Sequence, residues 1–323
     1  METRSIGNSD LRVSTLGLGC NNFGGRSNEE QSRAVISKAL DVGVTLFDTA
    51  DVYPLPKPGL SEEILGRALR AHRKQVVIAT KFGLPMDAEK KLAGGSRAYV
   101  VAATEACLKR LGADYIDLMQ FHWPDANTPV EETLRGLDDV VKAGKVRYIG
   151  CSNLPGWELV HSLWLSEKHG LAKFIVSQNQ YSLLSRDVEP ELMDALRYYK
   201  IGLLPYFPLA GGFLTGKYRK DAALPEGSRL TNSEALRKMF INDARFDIVE
   251  RLAPWCGAQG MSMLDLAFRW LLANDVVPSV IAGASTPAQV EANARAVAGR
   301  LSAAQMAEVE TLANNKPHGF ADH

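Results

Sequence analysis

The sequence lacks an excess of charge of either sign. Lys plus Arg total 37 and Asp plus Glu total 37 in 323 residues, so the formal net charge is zero. Recognition of nucleic acid or of an anionic membrane surface needs clustered cations, and this balance argues against both. Cysteine is scarce. Cys20, Cys107, Cys151 and Cys256 are widely spaced with no CxxC pair, which disfavours a zinc framework or a dithiol redox motif. Reduced thiols and no metal site are expected. Long apolar runs are missing too. None approaches the ~20 residues of a membrane span. The opening METRSIGNSDLRVS has no apolar core of a secretory signal. These absences lead to the expectation of a cytoplasmic protein with neither membrane nor nucleic acid as partner.

What the chain has is alternation. Short β-branched or aromatic runs at residues 16–20, 44–47, 76–80, 116–121, 146–150, 174–177, 202–206 and 277–281 predict strands. Amphipathic stretches predict helices at 28–41, 61–70, 96–111, 129–143, 156–169, 188–200, 262–274 and 286–298. Further helices are expected near 242–259 and at 302–313. The turn signal GNSD between 4–6 and 12–15 predicts a hairpin lying over one end of the fold. Residues 210–237 are too long for a plain connection and read as a functional loop. Eight strand–helix units with helical crossovers predict parallel strands. The fold expected is α/β: a single (β/α)8 TIM barrel over 1–323, with an N-terminal β-hairpin and extra C-terminal helices. A doubly wound sheet is the alternative, but no GxGxxG follows the first strand. A barrel of this kind carries its site at the C-terminal strand ends.

Those ends carry proton-handling residues. FDTADVY puts Asp48 at the end of a strand and Tyr53 in the loop beyond; Lys81 and His122 end the next two strands. Singly, each is more often a cap, a turn or a solvated residue. Together they suit one task. A phenol with a reference pKa of about 10 is a poor acid at neutral pH. A nearby ammonium favours the phenolate, a carboxylate fixes the ammonium, and a histidine can point a hydrogen bond at a substrate oxygen. Such a set can protonate a carbonyl oxygen while hydride reaches the carbon.

FDTADVY, ATKFG, LMQFHWPD, IGCSN, SQNQYS and YFPLAGGFLTGKY, taken in order, resemble the aldo-keto reductase superfamily over about residues 11–312. The resemblance implies that Asp48, Tyr53, Lys81 and His122 are a catalytic tetrad. It implies a nicotinamide cofactor whose carboxamide meets Ser152, Asn153 and Gln178 and whose ring stacks on Tyr206. It sets Gly19, Cys20, Asp48, Phe207, Pro208 and Leu209 beside the cofactor, Gly211 and Lys217 along its diphosphate, and Gly283, Ser285, Gln289 and Asn293 at its adenosine part. Thr286 at a helix start is a natural phosphate end.

Two departures bear on cofactor choice. Ala292 stands where relatives often have Glu, and no Lys or Arg lies between 282 and 294. Arg229 can supply the charge for a 2′-phosphate instead. NADP(H) is preferred and NAD(H) stays open. Gly211, Gly216 and Lys217 also spell GxxxxGK, but Tyr218 replaces the magnesium-binding Ser or Thr of a P-loop, which excludes that reading. Phe23, Leu55, Phe82 and Trp123 flank the tetrad residues or stand near them in sequence and are candidates for an apolar substrate mouth, or equally for core. A short tail, residues 315–323, leaves that mouth open. The expected partner is a small carbonyl or alcohol; homo-oligomers stay open. The alternative is a non-catalytic cofactor-binding regulatory subunit of the same fold.

Overall fold

The computed structural model describes residues 1–315 except Pro56 and Asp221; the tail beyond lies outside the described residues. A hairpin of β1 (Thr3–Ser5) and β2 (Arg12–Ser14) precedes eight parallel strands. These are β3 (Leu16–Gly19), β4 (Leu46–Asp48), β5 (Val77–Phe82), β6 (Ile116–Phe121), β7 (Val146–Ser152), β8 (Phe174–Gln180), β9 (Gly202–Tyr206) and β10 (Val280–Gly283). The sheet runs β10-β3-β4-β5-β6-β7-β8-β9. At the remaining seam the Leu203 amide donates to the Val276 carbonyl at 2.6 Å, so the barrel is nearly closed. Helices α1 (Glu29–Asp41), α2 (Leu60–Leu69), α3 (Arg97–Leu111), α4 (Val130–Lys142), α5 (Gly156–His169) and α6 (Leu192–Tyr199) make the crossovers. After β9 come α7 (Glu234–Phe240), α8 (Asp243–Ala258) and α9 (Met263–Leu272); after β10 come α10 (Pro287–Ala296) and α11 (Ala303–Ala313). The eight-stranded parallel barrel with its hairpin is the expected fold. Among the described residues no helix is long and apolar enough to cross a membrane.

The helix ends follow their sequence signals. Asn28 and Gln31 close a capping box on α1, and Ser302 and Gln305 do so on α11. The hairpin seals the N-terminal end of the barrel. Its Ile6, Leu11 and Val13 join Leu46, Val77, Ala79, Leu118, Val176, Leu204 and Ile281 in one buried cluster inside the strands. Gly7 permits this closure. A Cβ there would stand 2.5 Å from the Lys200 carbonyl oxygen, at a φ of +55°.

Several boundaries differ from expectation, and three of them have a local cause. The last strand starts at Val280 rather than 277, because the Val277 amide closes a turn to Asn274 and Pro278 has no amide to give a ladder. Helix α6 starts at Leu192 rather than 188; residues 187–191 form turns, and the Met193 amide bonds the Val188 carbonyl five residues back instead of an α-helical partner. The long excursion carries α7 at its end, capped by Ser233, whose side chain accepts from the Leu236 amide.

Candidate active site

Period two along a strand builds the site. On β4, β5, β6 and β8 the inward face carries Leu46, Ala79, Leu118 and Val176 in the apolar cluster. Two residues further on, the same faces carry Asp48, Lys81, Gln120 and Gln178, all buried. A polar layer therefore lies directly over an apolar one. The Lys81 ammonium donates to both Asp48 oxygens, at 2.8 and 2.7 Å, and to the Thr49 carbonyl at 2.8 Å. Gln178 Nε2 donates to Asp48 Oδ1 at 2.9 Å and Gln120 Nε2 does so at 3.3 Å. A pair this buried is tolerated because its protons and lone pairs are taken up from several strands at once.

Tyr53 reaches this layer from the loop after β4. Its amide donates to Ala50 O at 3.1 Å, and its carbonyl receives Ser61 N at 3.1 Å. Its ring meets the His122 ring edge-on, with centroids 5.8 Å apart at 88°. Lys81 Nζ lies 5.5 Å from the Tyr53 ring centroid. His122 follows β6, its amide bonded to Phe82 O at 2.9 Å. The four sequence candidates are thus brought together.

Burial first, then the Asp48 and Asp51 charges, push the Tyr53 phenol well above its ordinary value; the Arg229 charge opposes them. The Lys81 ammonium directs its three protons at Asp48 and Thr49, so none is left to stabilise a Tyr53 phenolate by a hydrogen bond. The phenol therefore stays protonated at neutral pH. His122 goes the other way. Burial, then the Lys81 charge, lowers its imidazole well below the usual range, so it is neutral, and its buried Nδ1 has no partner.

Above the layer, Asn153 at φ +61° donates to His122 O at 3.1 Å and accepts from Tyr206 Oη at 2.7 Å. Ser152 Oγ donates to Gln178 O at 2.8 Å. Phe207 also stands in the left-handed region, at φ +51°, which is costly for a residue with a Cβ. A cavity of about 370 Å³ opens here, bounded by Gly19, Cys20, Asp48, Tyr53, His122, Trp123, Ser152, Asn153, Gln178 and Tyr206. It shares Phe207, Pro208, Arg229 and Gly283 with a second cavity of about 290 Å³. Leu209, Gly211, Lys217, Ser285, Gln289 and Asn293 line the second. Every candidate cofactor residue except Thr286 thus lies on one or the other.

The fit to a nucleotide cofactor is one of charge as well as space. The second cavity carries Arg26, Lys217 and Arg229 and, among the described residues, no Asp or Glu. Thr286 caps α10 through the Gln289 amide, and Ser285 holds the Gln289 side chain at 2.8 Å. Among the described residues no helix follows Lys217 until α7, so the GxxxxGK stretch is not a P-loop; Gly211 and Gly212 take φ of +70° and +98° instead.

Of the substrate candidates, Trp123 alone lines the cavity. Phe23 and Phe82 are fully buried in the core between strands and helices, because odd steps along a strand or a turn-in of the loop aim them away from the mouth. Leu55 is 73% exposed and lines neither cavity. Asn21, Leu84, Gln180 and Met239 do line it. Gln120 was readable: it lies midway between Leu118 and His122 at period two. Met239 was not, since it comes from α7, distant in sequence.

One buried group stands behind Tyr53 without a partner. Asp51 is 1% exposed and neither carboxylate oxygen is hydrogen-bonded. Burial, then the Glu62 charge, pushes it up to about 8. Arg110 is already committed to Glu62, Nε to Oε2 at 2.6 Å.

Comparison with known proteins agrees with this architecture. The family model described as "Aldo/keto reductase family" matches residues 15–314. L-glyceraldehyde 3-phosphate reductase of Escherichia coli (strain K12) is 36% identical over 92% of this chain and 88% of its own length. A probable voltage-gated potassium channel subunit beta of Arabidopsis thaliana is 36% identical over 92% and 91%. The uncharacterized oxidoreductase YrpG of Bacillus subtilis (strain 168) is likewise 36% identical over 92% and 91%.

Proposed function

The chain belongs to the aldo/keto reductase family, and on that premise we propose that it is one catalytic unit, an NADP(H)-preferring reductase of small aldehydes or ketones, with NAD(H) as the second choice. The observation that carries the reading is the protonated Tyr53 beside neutral His122, standing over the saturated Asp48–Lys81 pair at the wall of one cavity. A bound nicotinamide supplies hydride to the carbonyl carbon or takes it from the alcohol.

Tyr53 is the general acid for the carbonyl oxygen. A phenol held protonated is in the form that carbonyl reduction needs, but its raised proton affinity makes that proton harder to give, so the Lys81 charge is needed to favour the phenolate as it forms. Lys81 restores charge balance as the phenolate forms, and Asp48 keeps Lys81 in place. Neutral His122 has one N–H to orient a carbonyl oxygen. Ser152, Asn153 and Gln178 hold the carboxamide, Tyr206 the ring face, and Gly211, Lys217 and Arg229 the phosphates. Trp123, Leu84 and Met239 form the apolar side of the substrate mouth.

The test is Tyr53→Phe. Turnover on carbonyl substrates should fall on the order of a hundredfold to ten-thousandfold, while the affinity for NADPH, read from tryptophan fluorescence, stays within about twofold. Equal loss of both would sink the assignment. The same titration compares NADPH with NADH, and tighter NADPH binding abolished by Arg229→Ala supports the 2′-phosphate choice. The relatives named as channel subunits motivate a second reading, a cofactor-binding regulatory subunit. Oxidation of one bound cofactor per chain, with no further turnover on any carbonyl, would favour it.

A further inference from the structure

A cluster of buried charge lies behind Tyr53. Asp51 stands two residues before it, with its amide donating to the Lys81 carbonyl at 3.0 Å. Neither Asp51 nor Glu62 nor Arg110 lines either cavity. Glu62 is fully buried on α2, and both its oxygens are engaged. Thr80 Oγ1 donates to Oε1 at 2.6 Å and Arg110 Nε to Oε2 at 2.6 Å. Arg110 Nη2 turns to Cys107 Sγ at 3.3 Å. Asp51 is left over, buried with no partner for either oxygen.

The groups that face Asp51 come from each element packed against it. They are Glu62 of α2, Tyr99, Cys107 and Arg110 of α3, Lys81 of β5 and Tyr53 of its own loop. Anions and cations there do not balance. Lys81 is matched by Asp48 and Arg110 by Glu62, so an ionised Asp51 would have no counter-ion. A buried carboxyl so placed keeps its proton instead. Burial, then the Glu62 charge, accordingly hold it up to about 8. Packing alone does not call for this group, because an apolar side chain would fill the space without unpartnered polar atoms. Its link to Tyr53 is electrostatic. An Asp51 charge adds to that of Asp48 in opposing loss of the phenol proton.

We propose that Asp51 is a positioning residue for the proton step: its protonated carboxyl keeps a negative charge away from Tyr53, and its ionisation slows proton delivery to a carbonyl oxygen. The inference rests on the reading of Tyr53 as general acid. Reduction then carries a pH limb that belongs to Asp51, fast while the carboxyl is neutral and slow once it ionises. Burial and the Lys81 charge keep His122 neutral, and burial keeps the Cys20 thiol protonated, so neither supplies that limb.

The experiment times the hydride step in single turnovers of the full chain with saturating NADPH and benzaldehyde, from about pH 6 to about pH 10. Wild type should slow several-fold to about tenfold as pH rises through about 8, the size of one pKa unit at Tyr53. Asp51→Asn should lose that limb. Glu62→Gln removes the neighbouring charge and frees Arg110 for Asp51, so its limb should move to lower pH. Infrared spectra at neutral pH should show a protonated-carboxyl band in wild type that Asp51→Asn lacks. Four results overturn the proposal while Tyr53-dependent turnover keeps the reading of the site. They are a limb that stays in Asp51→Asn, a limb that does not move in Glu62→Gln, no such carboxyl band, and a loss in Asp51→Asn by the same factor at every pH, which a merely structural role would give. Absent turnover in wild type, or turnover that Tyr53→Phe leaves unchanged, sinks that reading and the proposal with it.

Discussion

The two ends of the barrel treat charge in opposite ways. At the N-terminal end the buried carboxylate of Asp117 is met by Arg73 at 2.7 Å and Arg147 at 3.0 Å, and it also accepts the Ile78 amide. Both arginines lie over the Tyr115 ring. The hairpin then closes the interior with Ile6, Leu11 and Val13. At the C-terminal end the Asp48–Lys81 pair is saturated, yet His122 Nδ1 and both Asp51 oxygens have no partner. Beside them a cavity holds three cations and no carboxylate among the described residues. Neutralised charge contributes to a stable floor. Charge left without a counter-ion is what a ligand can use.

The contrast can be broken at its strongest point. Lys81→Met leaves the Asp48 carboxylate buried without its cation, and should cost about 3–5 kcal/mol by urea unfolding. Arg147, half exposed on the lower end, should cost at most ~1 kcal/mol when replaced by Ala. Comparable losses at the two ends would erase the distinction.

A pH series sharpens it next. Asp51 is pushed up to about 8 in the folded chain, from an ordinary value of 3.8. Between those values the folded state holds a proton that the unfolded state has lost. The Asp51 contribution to stability therefore falls as pH rises through that window, by at most ~1.4 kcal/mol per pH unit. Asp51→Asn removes this slope, so the variant should gain on the wild type from about pH 4 to 8 and no further above it. His122 titrates in both chains and cancels in the difference. A constant difference across the series would mean that Asp51 is ionised throughout.

The smallest test concerns the floor alone. Gly7→Ala forces a Cβ against the Lys200 and Ile175 carbonyls at positive φ and should cost about 1–3 kcal/mol. Turnover per folded molecule should not change, because the hairpin lies at the end remote from Tyr53. A drop in kcat would couple the two ends.

Much of this was legible along the chain. Apolar runs at period two, separated by capped helices, demand a parallel sheet whose inward residues repeat from strand to strand. Asp48, Lys81, His122 and Gln178 could be placed on one rim because each follows such a run at the same phase. Gln120 obeys the same arithmetic. Side-chain direction at loops does not. Phe23 and Phe82 stand beside rim residues in sequence and face the core, while Met239 and Leu84 reach the cavity from segments with no periodic signal. The start of β10 was missed by three residues because Val277 is as apolar as a strand residue but bonds as a turn.

The sequence by itself determined the barrel, the order of its strands and which residue types meet at their C-terminal ends, since these follow from local periodicity. Tertiary structure alone decided the electrical state of those residues. Whether Tyr53 keeps its proton, whether Asp51 finds a partner and whether Arg26 and Arg229 line one cavity depend on desolvation and on through-space distances between segments far apart in the chain.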